Sequence, residues 1–442
     1  MMSAPLTPPV PTVALVDTRW GGHHLTYLRE FTASLLRLGA RVHLICFDPA
    51  QIVASLPPEL ASAAAERVVC QVFVHRNQGV IHRKRDHDPL STLARWRATG
   101  RAVRRIEARS GHRTDLVFFP YLDSYLRFAP FPSLPKWMLG RPWSGLYLRN
   151  GHLDAEQFPD TPWWRRAAKG DSLMKAPDCR AIYVLDERFN EELGNAVGHP
   201  VFAFPDMTDE TPPDGPSELA AEIQRRARGR KIIGLISIEK RKGLLTLLKT
   251  AQLAKESGRP WFFVATGPFA RETFSADELA FCEEMARQAA DGRMDNLYLD
   301  LSGARFEDGK PYNALFTGFD IIWAAYEDFE GSSNALTKAA AFRIPLVATQ
   351  GQCIGGRVER YQLGRTIPQG NSTAAIDAIS GIIAGRTADG HPLVPDFEKY
   401  HRLHSRARLD DIFHSLLEWK DEPGFLEMSQ AAELAIETPA KR

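Results

Sequence analysis

A chain of 442 residues exceeds what one hydrophobic core usually serves, and 44% hydrophobic with 25% charged side chains excludes disorder as its resting state. Fifty-five Lys and Arg against 54 Asp and Glu leave a formal charge of +1, so no global field draws the chain to nucleic acid and any anion site must be local. The five cysteines, Cys46, Cys70, Cys179, Cys282 and Cys353, stand far apart with none at metal-ligand spacing, which fits a reduced, cytoplasmic setting and no bound metal.

The opening "MMSAPLTPPVPTVALVD" lacks a basic region and an apolar run, and about eighteen consecutive apolar residues occur nowhere, so neither an export signal nor a membrane span is expected. "TVALVD" then reads as a strand, "LTYLREFTASLLRLG" as a helix closed by Gly39, and "RVHLICFD" as the next strand. Buried-strand runs follow at 115–120, 145–150, 181–186 and 201–205. Residues 208–229, rich in Pro and acids, read as a linker. The same grammar restarts with strands at 231–237, 261–266, 296–301, 320–325 and 344–349 and helical spacing between them. The predicted fold class is α/β, two successive doubly wound Rossmann-like units over 1–207 and 230–399. A last helix carries Leu409, Ile412, Phe413, Leu416 and Leu417 on one spacing.

Three stretches carry chemistry. After the first strand, Gly21 and Gly22 let backbone pass close to a ligand ahead of a helix N-terminus, although a plain tight turn gives the same pattern and the pair fails the G-x-G-x-x-G fingerprint. In "LISIEKRKGLLTLLKTA", Lys240, Arg241 and Lys242 stand between a strand end and a helix, where an open α/β sheet binds ligands; three cations suit a diphosphate, and a solvated basic turn is the ordinary alternative. In "YEDFEGSSNALTKAAAFRIPLVATQG", Glu330 offers a carboxylate to sugar hydroxyls, and Gly331, Ser332 and Ser333 supply space, amides and hydroxyls. A helix cap with a dipole-facing carboxylate gives the same letters.

Together these stretches resemble the GT-B nucleotide-sugar glycosyltransferases, most closely the retaining group called family 4, over nearly the whole length. The resemblance rests on Gly21 and Gly22 followed by "LGARVHLICFD", on Lys242 and Gly243 with "LLTLLKTA", on the glycine turn Gly267 in "FVATGPF", on "DIIWAAYEDFEG", and on "EGSSNALTKAAAFRIPLVA" with its downstream "GGRVERYQLGRTIPQGN". It implies two domains facing a central cleft, a donor domain at 230–399, and a final segment from about 400 to 442 that returns to the acceptor-side domain at 1–207. It further implies Glu330, Lys242 and His152 as catalytic residues, and donor contacts from Gly21, Gly22, Ser237, Arg241, Gly267, Gly331, Ser332, Ser333, Asn334 and Lys338. His23, His24, Asp17 and Asp123 are alternatives to His152. The chain departs from the family where Lys338 replaces a second glutamate, where Ser237 replaces an arginine, and where Tyr326 and Glu327 replace Pro-Ser.

The implied activity is transfer of a sugar, with retained anomeric configuration, from a nucleotide sugar to a saccharide or lipid-linked glycan, without metal or cofactor, in building bacterial polysaccharide or glycolipid. A non-catalytic sugar-nucleotide-binding protein and a nucleotide-sugar epimerase are the competing readings; nucleic acid is not an expected partner. Between residues 76 and 113 eleven Lys and Arg face three acids, and Leu93, Trp96, Val103 and Ile106 share one side of a helix. That segment, with Trp163 and Trp164 in "DTPWWRRAAKG", fits peripheral contact with an anionic membrane, whereas burial of the apolar stripe in a core is the ordinary alternative.

Overall fold

The structure is a computed structural model, described here for residues 10–20, 23–73, 89–126, 132–148, 171–306 and 309–418. It divides into two compact units, residues 1–205 with 405–442, and residues 206–404.

In the first unit seven strands form one parallel sheet: β1 (Thr12–Val16), β2 (Arg41–Cys46), β3 (Val68–Val72), β4 (Leu116–Phe119), β5 (Trp143–Tyr147), β6 (Cys179–Val184) and β7 (Val201–Ala203). Their order is β3-β2-β1-β4-β5-β6-β7. β1 and β4 are buried along their whole length, as expected of strands covered on both faces and written as unbroken apolar runs. One face is filled by Trp96, Phe119, Tyr125 and Trp143, which meet edge-to-face or tilted with ring centroids 4.4–6.1 Å apart. The indole Nε1–H of Trp96 donates to the Tyr125 carbonyl at 2.9 Å, so this buried donor is met.

The other face gathers Phe31, Phe118, Tyr183, Phe204 and Phe413. Phe413 belongs to the helix Arg406–Leu417, whose apolar side is buried as its spacing requires. Asp410 of this helix receives both Nε and Nη2 of Arg37 at 2.8 Å, and Arg406 reaches Glu30 at 2.8 Å, so it lies along the helix His23–Arg37.

The second unit holds six parallel strands, β8 (Lys231–Ile238), β9 (Trp261–Phe269), β10 (Leu297–Leu299), β11 (Ile321–Ala324), β12 (Leu346–Thr349) and β13 (Gly364–Ile367), in the order β10-β9-β8-β11-β12-β13. The 208–229 stretch differs from a plain linker. Asp206, Met207, Thr208 and Asp209 are buried in this unit, and Glu218–Ala227 is a helix capped by Ser217, whose Oγ accepts from the Ala220 amide at 3.2 Å. Ala220, Ile223 and Ala227 form its buried stripe, a helical period that the prolines and acids before it conceal.

Two strands escape the apolar-run criterion. β3 (VVCQV) is an edge strand left half-buried, and β13 (GRTI) is a four-residue edge strand with Arg365 and Thr366 half-buried. An edge strand needs apolar side chains on only part of its length, so its sequence signal is weak.

In each sheet the chain leaves its first strand in one direction and later returns on the other side. The reversal falls between β1 and β4 in the first unit and between β8 and β11 in the second. Open α/β sheets bind ligands outside the carboxyl ends of the strands at such a reversal.

Candidate donor site and its surroundings

At the end of β8 the strand bulges. The β8–β9 register shifts between Ile236 and Ile238, and Ser237 takes φ +70°. Gly267 on β9 has φ +106°, and a Cβ there would lie 3.0 Å from the Ser237 amide nitrogen, so a glycine allows the two backbones to lie side by side.

The chain then makes one turn of 3-10 helix over Lys240–Lys242 and ends at Gly243 with φ +73°. A Cβ on Gly243 would sit 2.1 Å from the Ala325 carbonyl, closer than any real contact, so only glycine lets this turn dock on the end of β11. Trp323 fixes it further, donating its Nε1–H to the Gly243 carbonyl at 3.2 Å.

The three cations of that turn have different surroundings. Lys240 pairs with Glu278 at 2.7 Å, and this hydrogen bond raises the lysine and lowers the glutamate from their ordinary pKa values. Arg241 pairs with Glu239 at 2.6 Å and lies 4.8 Å over the Phe329 ring. Lys242 has no carboxylate within ion-pair distance among the described residues; its Nζ stands 3.4 Å from the Ile236 carbonyl and 6.0 Å from the Tyr326 ring centroid. Of the three, Lys242 is therefore the cation best placed to meet an incoming anion.

The loop after β11 is tied down residue by residue. The Tyr326 carbonyl accepts from Thr349 Oγ1, and its hydroxyl lies 3.2 Å from Ser333 Oγ. Glu327 accepts from Thr246 Oγ1 at 2.5 Å, and its amide donates to the Arg241 carbonyl at 2.7 Å. Asp328, at φ +48°, exchanges two hydrogen bonds of 2.9 Å with the side chain of Gln369.

Phe329 packs against Tyr326 and under Arg241, which brings its neighbour Glu330, half-buried, beside the basic turn. Gly331 follows, then Ser332, and Ser333 caps the helix Asn334–Ala341 by accepting from the Ala335 amide at 3.3 Å. Asn334 is exposed at the first position of that helix.

Ser332 and Lys338 reach inward. Ser332 Oγ donates to Asp206 Oδ2 and accepts from Arg357 Nη1, both at 2.6 Å, and Asp206 and Arg357 are buried. Lys338 is 4% exposed. Its Nζ donates to the Asp209 carbonyl at 2.7 Å and to Asn313 Oδ1, and stands 4.8 Å from the Tyr312 ring. Asn313 Nδ2 in turn donates to the carbonyls of Asp209 and Thr211. A lysine in this position binds the helix to the 209–211 backbone from within.

In the first unit the β1 end holds a second group. Asp17, 1% exposed, accepts from the Arg19 amide at 2.8 Å and lies 2.9 Å from His24 Nδ1. His24 meets Tyr121 edge-on at 5.1 Å, and Asp123, after β4, accepts from the Leu148 amide at 2.9 Å. Gly21, Gly22 and His152 lie outside the described residues, as do Trp163 and Trp164, and nothing is described of the His23 side chain.

Sequence reasoning left out Glu239, Asp206, Arg357 and Gln369, which hold this region together across 2 to 126 residues of chain. A short-range signal existed only for Glu239, two residues before Arg241.

No family model matches the sequence, and no curated protein matches it. Solved structures do. An α,α-trehalose-phosphate synthase (UDP-forming) from Burkholderia vietnamiensis aligns over 98% of this chain and 100% of its own at 13% identity and TM-score 0.58. Sucrose-phosphate synthase from Thermosynechococcus elongatus aligns over 97% and 99% at 16% identity and TM-score 0.56. HepE from Anabaena, solved in complex with UDP and glucose, aligns over 92% and 99% at 12% identity and TM-score 0.55. At these identities the likeness is one of fold, and over nearly its whole length the chain has the α/β GT-B fold of these glycosyltransferases.

Proposed function

We propose that this protein is a glycosyltransferase that moves a sugar from a nucleotide sugar to a saccharide or lipid-linked glycan with retention of anomeric configuration. The observation that carries the proposal is the reversal between β8 and β11, where Lys242, with no carboxylate in ion-pair distance among the described residues, stands on a glycine-docked turn beside the loop that carries Glu330 into a capped helix. The fold supports it, as do the UDP and UDP-glucose complexes of HepE, which share that fold.

Lys242, with Arg241 behind it, neutralises the negative charge that builds on the diphosphate as the bond to the anomeric carbon breaks. Glu330 accepts hydrogen bonds from the hydroxyls of the transferred sugar, and the first amides of the Asn334 helix add positive potential. Gly267, Ser237 and Gly331 leave room for the ligand to approach the backbone. The acceptor oxygen bonds to the anomeric carbon on the face the phosphate leaves, its proton passes to the leaving phosphate oxygen, and nucleoside diphosphate is released. Protein cations do the charge work here, without metal or cofactor.

Lys338 and Ser332 act indirectly, by setting the position of the helix that Ser333 caps. On the acceptor side His24, oriented by Asp17, joins His152 as a candidate contact. The proposed setting is the cytoplasm.

Calorimetric titration with UDP and a panel of other nucleoside diphosphates and nucleotide sugars tests the donor site. Base-selective binding by the wild type, lost in Lys242→Ala, is the expected result; no binding of any nucleotide overturns it. With donor and a glycan panel, a transferase releases nucleoside diphosphate faster when acceptor is present. An epimerase alters the sugar without acceptor, and a binding protein releases nothing.

A further inference from the structure

The helix Pro89–Ser110 turns most of its apolar stripe inward: Trp96, Val103 and Ile106 are fully buried in the first unit's core, whereas Leu93 is exposed. The helix is therefore not an amphipathic segment free to lay its apolar side on lipid. Its outer face is basic. Arg97, Arg101, Arg104 and Arg105 follow at spacings that keep them on one side of the helix, and all four are exposed.

Among the described residues none of these arginines has a carboxylate within ion-pair distance; Arg104 donates instead to the Met138 carbonyl at 3.2 Å. Glu107, the helix's only acid, is turned away from them and held by Arg141 and the Thr114 amide at 2.8–2.9 Å. A solvated helix face is ordinarily laced with i,i+4 pairs of opposite sign, and this one carries a single sign.

A second helix, Leu134–Met138, crosses the first here. A Cβ on Gly100 would stand 1.9 Å from the Met138 carbonyl, so the glycine is what lets the two helices touch. One residue from that crossing is Trp137, 72% exposed, the most exposed large apolar side chain among the described residues, with exposed Lys136 before it. An indole held in water beside a row of cations that meet no carboxylate among the described residues is costly for an isolated protein, and it matches the layered chemistry of a bilayer interface, with anionic phosphates outermost and a polar–apolar boundary beneath.

We propose that the face formed by Arg97, Arg101, Arg104, Arg105, Lys136 and Trp137 docks on the headgroups of an anionic phospholipid bilayer, with Trp137 entering the interface. Nucleic acid would also meet the arginines, but an overall charge of +1 and a single exposed indole beside them favour lipid. The inference does not depend on the transferase reading, because docking requires neither sugar nucleotide nor acceptor, and nucleotide titration of the same preparation reads the other question separately.

The test is co-sedimentation of the full chain with vesicles of pure phosphatidylcholine and of equimolar phosphatidylcholine and phosphatidylglycerol, at low and high ionic strength. Binding is expected only to the anionic vesicles and is expected to weaken with salt. Arg97→Gln/Arg101→Gln/Arg105→Gln should lower the partition coefficient on the order of 100-fold, from about 1 kcal/mol per cation near an anionic surface. Brominated lipid should quench wild-type fluorescence more than that of Trp137→Phe, a readout that needs no loss of binding. Wild-type protein that ignores anionic vesicles, a triple variant that binds as well as wild type, or quenching unchanged in Trp137→Phe would overturn the proposal. So would a single-stranded RNA that binds this face and is not displaced by anionic vesicles.

Discussion

Replacing Lys338 by glutamate supplies the residue that the resemblance to family 4 implies at this position, yet the surroundings of Lys338 argue that the change harms the protein. The lysine ammonium is a donor to the Asp209 carbonyl and to Asn313 Oδ1 in a site 4% exposed. A carboxylate there brings an acceptor against two acceptors and buries a charge with no cation in this set to meet it. The expected loss for a broken buried charge arrangement is about 3–5 kcal/mol.

Lys338→Met separates charge from bulk. It keeps the stem's packing, and the Asp209 carbonyl still accepts from Asn313 Nδ2 at 3.2 Å, while Asn313 Oδ1 loses a donor. A cost of about 1–3 kcal/mol is expected for that variant. Urea unfolding reports both, and calorimetry with UDP on the folded fraction reports the site. The expected pattern is stability falling from wild type to methionine to glutamate, with UDP affinity of the methionine variant close to wild type. A glutamate variant as stable as wild type, or a methionine variant of full stability that has lost UDP, would refute the structural role and make Lys338 a ligand contact.

Lys242→Ala should weaken UDP binding by about 10- to 100-fold, the range for a charge-assisted contact, while urea unfolding stays at the wild-type midpoint. Glu330→Ala should abolish transfer with the fold intact; unchanged turnover removes Glu330 from the mechanism. Gly243→Ala must either leave φ +73° or push the Ala325 carbonyl away, so both stability and UDP binding should fall, and wild-type behaviour in either would show that the turn is softer than its contacts indicate. His43 is buried between Thr114 and Ser110, each at 3.0 Å, and burial lowers its pKa to about 4. The unfolded chain thus takes up a proton here that the folded protein refuses, so stability should fall as pH drops from about 6.5 toward 4, and His43→Gln should flatten that part of the profile. An identical acid profile in the variant would place the sensitivity elsewhere.

Much of the fold is written locally. β1, β2, β4 and β8 are near-continuous apolar runs because both faces of a parallel sheet are covered, and such runs are visible without any partner. The edge strands β3 and β13 were not, because their pairing comes from β2 and β12 and not from their own side chains. The helix Glu218–Ala227 was hidden behind a Pro-rich approach that composition alone reads as a connection.

The candidate site divides the same way. The basic turn, Gly243 and the Glu330 loop are each contiguous, and a short segment suffices to recognise them. What Lys240, Arg241 and Lys242 each do depends on Glu278 and Glu239, and three adjacent cations look alike until those partners are placed. Lys338 looked like a change in ligand chemistry, and only Asn313 and the 209–211 backbone, far away in the chain, make it an interior tie. The sequence by itself determined the two doubly wound units and the turns at the ends of their strands, because buried strands and glycine turns are decided by residues next to one another. Tertiary structure alone decided which cation remains available, which way Lys338 faces and which side of the Arg-rich helix meets water, because each depends on groups that folding brings together from distant parts of the chain.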